Sequence, residues 1–236
     1  MRATLSFTAS LLLLLLAAGS SGPAAAQARA GEWVSYRDAY RAMVVFEKYG
    51  GPKNLLQNQL EVQVREHGAS LEGVRLVLAG KGTQLNLQLD SLGRIAFPLQ
   101  KAAYDANAAL VLNRKGMPFA VRAQVTIAPR ADGLYDIADL HAACAQALGF
   151  ARYIDASQRG RQCAGVRFVF PKTAEAGARL RHPDGSEQPL AVETGPAFAG
   201  DADDGFPVLN YRFGVGNEHA QVTAGNAPLA IVPVFE

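Results

Sequence analysis

From residue 58 onward, apolar residues recur at every second position. In "NQLEVQVREH", Leu60, Val62 and Val64 alternate with Glu61, Gln63 and Arg65; in "TQLNLQLD", Leu85, Leu87 and Leu89 alternate with Gln84, Asn86 and Gln88. A period of two puts each set on one face of a pleated strand, with one face buried and the other wet, which is the pattern of antiparallel sheets. "GVRLVLAG", "RIAFPL", "AALVLNRKG" and "PFAVRAQVTIAP" extend the series. It resumes after Cys163 with "AGVRFVF", "GARLRHPDGSEQPLAVE", "FPVLNYRFGVG", "HAQVTAG" and "PLAIVPVFE". Short strands separated by turn residues predict a mainly β chain of one or two antiparallel β-sandwich-like modules. "DSLG" and "HPDGS" are read as turns, the second of hairpin type.

Two stretches break this period. "WVSYRDAYRAMVVFEKYGGP" predicts an N-terminal helix with Ser35 as N-cap, Asp38 at the third helical position and "GGP" as the stop. Its stripe of Tyr36, Tyr40, Met43 and Val44 is read as the face packed on a core, with a ligand surface as the alternative. "DGLYDIADLHAACAQALGFARYIDASQ" predicts a middle helix with Asp136 as N-cap and an apolar stripe of Ile137, Leu140, Cys144, Leu148 and Ala151. The expected organisation is a signal peptide over 1–26, a helical segment over 27–57, a first β-module over 58–130, a helical connector over 131–163 and a second β-rich module over 164–236. A faint correspondence of "VRLVL" (74–78) with "VRFVF" (166–170) is short enough to arise by chance.

"LEGVRLVLAGKGTQLNLQLDSLGRIAFPL" carries a strand pair, a D-x-x-G-R turn and a short apolar strand. Asp90, Gly93, Arg94 and Phe97 mark it, and over residues 58–127 it resembles the carboxypeptidase-regulatory-like and transthyretin-like β-sandwiches of exported bacterial proteins. The resemblance implies a binding or scaffolding module and no catalytic residues.

The N-terminus predicts the compartment. Arg2 precedes the apolar run "LLLLLLAA" (Leu11 to Ala18), and the small residues Ala24, Ala25 and Ala26 follow a Gly/Pro stretch. The run is too short to span a bilayer and has the form of a cleaved signal peptide, with Gln27 as the first mature residue. No later stretch has the length of a membrane span. The expected address is periplasmic or secreted. Without Arg2 the 23 basic residues become 22 against 21 acidic ones, interspersed along the chain. Such a balance gives no basic surface for nucleic acid.

Two cysteines remain, Cys144 and Cys163, with His141 one helical turn before the first. Zinc needs about four ligands of this kind, and His67, His182 and His219 lie elsewhere without ligand spacing. No C-x-x-C occurs, so the dithiol redox motif is missing. In an oxidising compartment two cysteines most simply form one disulfide, and Cys144–Cys163 is the expected bond. His141 is expected to be a partly buried helix residue.

Asp201, Asp203 and Asp204 in "AGDADDGF" depart from the EF-hand spacing and are read as a solvated loop rather than a calcium site. "SQRGRQ" is read as an exposed turn. No G-x-S-x-G elbow, H-E-x-x-H or P-loop occurs. No catalytic, metal-binding or cofactor-binding residue is therefore assigned, and no cofactor is expected. The expectation is a non-enzymatic binding or scaffold protein of the cell envelope, its partner an envelope protein or small ligand. The alternative is an envelope hydrolase with unmarked carboxylates or an unmarked serine.

Overall fold

The period-two stretches become strands, and three antiparallel sheets result. A computed structural model describes residues 32–64, 70–173 and 176–236. The expected signal peptide and His67 lie outside them. In chain order the elements are β1 (Trp33–Ser35), α1 (Tyr36–Lys48), β2 (Leu56–Val64), β3 (Arg75–Gly80), β4 (Thr83–Gln88), β5 (Arg94–Ile95), α2 (Lys101–Asp105), β6 (Ala109–Leu112) and β7 (Phe119–Ile127). They continue with β8 (Leu134–Asp136), α3 (Ile137–Ile154), a 3-10 turn (Ala156–Gly160), β9 (Cys163–Val169), β10 (Ala178–Arg181), β11 (Glu187–Pro189), β12 (Glu193–Gly195), β13 (Phe206–Arg212), β14 (Gln221–Ala224) and β15 (Ala230–Phe235).

The largest sheet has seven strands in the order β12-β13-β9-β15-β7-β2-β5; two four-stranded sheets run β1-β6-β3-β4 and β11-β10-β14-β8. The long sheet draws strands from both sides of the expected 131–163 connector. β15 lies between β9 and β7, paired along most of its length with β9 and through Ile231 with Ile127 of β7. The similar pentapeptides at 74–78 and 166–170 fall in different sheets, at β3 and β9.

One face of the long sheet carries two apolar cores. Leu60 and Val62 of β2 join Leu76 and Leu78 of β3, Leu110 of β6, and Tyr36 and Met43 of α1. Phe168 of β9, Leu209 of β13 and Ile231 of β15 join Tyr135 of β8, Leu180 of β10, Val222 of β14, and Leu140 and Ala147 of α3. This layering, a long sheet facing two shorter ones with helices packed alongside, is the sandwich-like architecture that the alternation predicts. The opposite face holds a smaller cluster in which Phe198 and Ala197 cover Val169, Val208 and Ala230.

Both long helices start at the expected caps, Ser35 and Asp136, although neither cap side chain hydrogen-bonds to its helix. The buried stripe of α1 is Tyr36, Ala39, Met43 and Phe46, so the core face is rotated from the expected one, and Tyr40 and Val44 are half-buried at its side. Lys53 Nζ donates to the carbonyls of Phe46 (2.6 Å) and Glu47 (2.7 Å) and satisfies the end of α1.

The D-x-x-G-R turn forms as written. Asp90 Oδ1 accepts from the N–H groups of Leu92 (2.9 Å) and Arg94 (2.8 Å), while Oδ2 takes both Nε and Nη2 of Arg94. Gly93 adopts φ +73° inside it. "HPDGS" likewise closes β10 onto β11, with Gly185 at φ +85°.

Cys144 and Cys163 are disulfide-bonded with Cα atoms 5.9 Å apart, tying α3 to the start of β9. Among the described residues no helix is long and apolar enough to cross a membrane.

Candidate functional site

The carboxylates that gather in this fold do so away from solvent. Glu61 of β2 stands directly opposite Arg94 of β5 and Arg122 of β7, so the three form a row across three neighbouring strands. The row lies on the face turned away from the two large cores. Glu61 and Arg94 are each only 4% exposed. Arg122 holds both carboxylate oxygens of Glu61, at 2.8 and 3.0 Å, and reaches Asp201 Oδ1 at 2.5 Å. Asp201 Oδ2 accepts from the Phe198 N–H, fastening the 196–205 loop over the row. The Phe198 ring lies 5.9 Å from the Arg94 guanidinium and 5.6 Å from that of Arg122.

Burial outweighs the arginine pair and pushes the Glu61 carboxyl up to about 7. A raised carboxyl in a cleft is a mark of acid–base chemistry. Here, however, each carboxylate is engaged by an arginine, and the loop lies on top. The arrangement can hold a loop down; it presents no carboxylate to a substrate. Sequence reasoning put Glu61 on the wet face, because the covering loop comes from residues about 140 positions further along.

An accessible concavity lies elsewhere. α1, α2 and the end of α3 enclose a groove of about 290 Å³ lined by Tyr40, Arg41, Val44, Val45, Lys48, Tyr104 and Tyr153. Its floor follows from the rotation of α1: with Tyr36 and Met43 committed to the core, Tyr40 and Val44 fall on the open flank. Tyr40 and Tyr104 meet at 4.9 Å, and the guanidinium of Arg41 lies 5.8 Å from the Tyr104 ring. At the far wall Tyr49 packs at 5.4 Å on Phe150 and at 5.2 Å on Tyr153. Gly149 admits the Tyr49 hydroxyl, since a Cβ there would lie 2.8 Å from it. Tyr153 remains 59% exposed. The wall is thus three tyrosine rings and two valines, with two cations and no acid among the seven lining residues. Arg41 pairs with Asp38 at 3.4 Å, but both side chains are exposed and the pair is well screened.

The remaining candidates divide. His141 is exposed, not partly buried, with its ring 5.0 Å from Phe213. His182 and His219, far apart in sequence, line one shallow hollow with Arg181 and Gln221. Among the described residues no group of three His, Cys, Asp or Glu side chains is placed to hold a metal. Asp201 is bound to Arg122, and both oxygens of Asp203 accept from Lys172 Nζ at 2.7 and 2.8 Å, so these two acids are held by separate cations, and Asp204 is exposed.

No family model matches the chain, the 58–127 stretch included, and no curated protein or solved structure matches it either, so its reading rests on its own residues.

Proposed function

We propose that this is an exported, non-enzymatic binding or scaffold protein of the bacterial cell envelope, periplasmic or secreted, and that the tyrosine groove beside α1 is its ligand-contacting surface. The observation that carries the reading is the groove's wall. Tyrosine rings offer apolar area with a polar edge at small entropic cost, and solvent-reachable rings grouped in one concavity, here the half-buried Tyr40 and Tyr104 with the exposed Tyr153, are a mark of recognition. Arg41 and Lys48 on its rim favour an anionic ligand with a ring or apolar portion, either a small molecule or a side-chain cluster on an envelope partner.

Export is supported by the n-region, apolar run and small-residue site of the first 26 residues, and by a disulfide of the kind that persists in oxidising compartments. The hydrolase alternative has less support, because the carboxylates the fold gathers are neutralised by arginines beneath a loop.

The groove is tested with 8-anilinonaphthalene-1-sulfonate, an anionic ring probe. Saturable one-to-one binding is expected, weakened at least several-fold by Tyr153→Ala and by Lys48→Glu and unchanged by Arg181→Ala at the distant hollow. Binding insensitive to both groove changes would overturn the assignment. Export is tested by N-terminal sequencing of protein from its native host, which is expected to begin at Gln27; a chain retaining Leu11 to Leu16 would overturn it.

A further inference from the structure

The three sheets have six edges among the described residues, and five are short. β1, β8, β11 and β12 have three residues each and β5 has two. Short edges are one way a fold avoids pairing with other chains. β4 is the exception: six residues, "TQLNLQ", with no charge, no proline and an unbroken register against β3.

Its outward backbone can be assigned. The N–H and C=O of Arg75 turn toward β6, bonding Asn113 Oδ1 (2.8 Å) and the Asn113 N–H (3.0 Å). Arg75 faces Gln88 across the β3–β4 ladder, so this is a pair that exchanges no hydrogen bonds. By alternation the same holds at Asn86 and Gln84. The N–H and C=O groups of Gln84, Asn86 and Gln88 therefore all point away from β3, toward a side where no strand lies among the described residues. Leu85, Leu87 and Leu89 are half-buried at the open flank of the first core.

We infer that β4 is a docking edge for a second copy of this chain, paired antiparallel about a two-fold axis at Asn86. The strand is self-complementary in that register. Leu85 of one copy faces Leu87 of the other, and Gln84 faces Gln88. A two-fold contact uses the same patch twice, so any charge on the axis would meet itself; β4 has none. The nearest charges, Lys81 in the turn before β4 and Asp90 after it, fall at opposite ends. Asp90 is already paired with Arg94, so the register brings no like charges together. The four-stranded sheets join into one of eight, and the half-buried leucines gain cross-strand neighbours. This inference is independent of the groove.

Sedimentation velocity at micromolar concentration tests it on the purified protein. The wild type is expected to sediment as a dimer. Asn86→Pro removes an outward N–H without removing a bond to β3, and is expected to give a monomer with an unchanged far-ultraviolet spectrum. Asn86→Lys places two ammonium groups on the axis and is expected to dissociate the dimer most strongly at low salt. A wild type that is monomeric, or a dimer that survives both substitutions, would overturn the inference.

Discussion

Glu61 on β2 and Arg122 on β7 are directly paired across the ladder, and the guanidinium holds both oxygens of a carboxyl that is almost completely buried. In the folded protein that carboxyl keeps its proton up to about pH 7, whereas in the unfolded chain it loses it near 4.5. Between those values the folded state binds the extra proton. Its contribution to stability is therefore greatest below about pH 4.5, declines as pH rises to about 7 and is level above. A shift of this size corresponds to ~3 kcal/mol. Glutamine has no proton to release, so Glu61→Gln is expected to remove this part of the slope. Urea titrations at pH 5 and pH 8 check it: the variant should gain on the wild type by ~2–3 kcal/mol between the two. Parallel pH profiles would refute it.

The Cys144–Cys163 bond closes a loop whose ends are 19 positions apart. Closing such a loop stabilises the fold by ~3 kcal/mol through the unfolded chain. Cys144→Ala is expected to cost about as much as the double change with Cys163→Ala, because either removes the same link, and His141→Ala is expected to cost much less. Denaturation measures the costs, and intact mass after alkylation without reduction should show no modified thiol.

Gly93 and Gly82 have nearly the same backbone, φ +73° and +74°, in different surroundings. A Cβ at Gly93 would lie 2.8 Å from Leu71 Cδ1 and 3.0 Å from the Val62 carbonyl, whereas at Gly82 it meets nothing. Gly82→Ala is expected to cost ~1–2 kcal/mol, the left-handed backbone penalty alone. Gly93→Ala adds a clash and is expected to cost at least ~1 kcal/mol more. Thermal or urea denaturation of the two variants side by side makes the comparison; equal costs would show that the D-x-x-G-R turn yields freely.

Asp203 is occupied by Lys172, and Asp201 by Arg122. Millimolar calcium is accordingly expected to leave the melting temperature unchanged, since a ligand of the native state must raise it by mass action. A rise that disappears in Asp203→Ala would reveal a cation site.

The elements were legible in the sequence where the signal is local. Leu60 and Val62, Leu85 and Leu87, and the stripe from Ile137 to Leu148 lie in strands and a helix as their periods require. Ser35 and Asp136 mark both helix starts. What periodicity does not encode is which second surface arrives on top. Glu61 reads as solvent-facing because its neighbours alternate, yet a loop at 196–205 closes over it. Tyr40 and Val44 read as core because they continue a helical stripe, yet α1 buries Tyr36, Ala39, Met43 and Phe46 instead, with Tyr36 stacked on Phe97, distant in sequence. His182 and His219 share a hollow only because β10 pairs with β14. The three-residue β12 leaves too short a pattern to read, and of the strand expected over "RIAFPL" only Arg94–Ile95 pairs, as β5.

The position of β15 between β9 and β7 sets a condition on biosynthesis. As the chain emerges N-terminus first, β2 and β7 can pair early, and β9 can find β13 once residue 212 has emerged, but the strand that joins these two groups appears only after residue 229. Until then β7 and β9 each expose an unpaired border, so a nascent chain is held as two incomplete halves and the seven-stranded sheet is completed by one of the last segments described. Truncation shortly before residue 230 is thus a qualitatively different event from the loss of a frayed tail: it removes the strand that joins the two parts of the seven-stranded sheet.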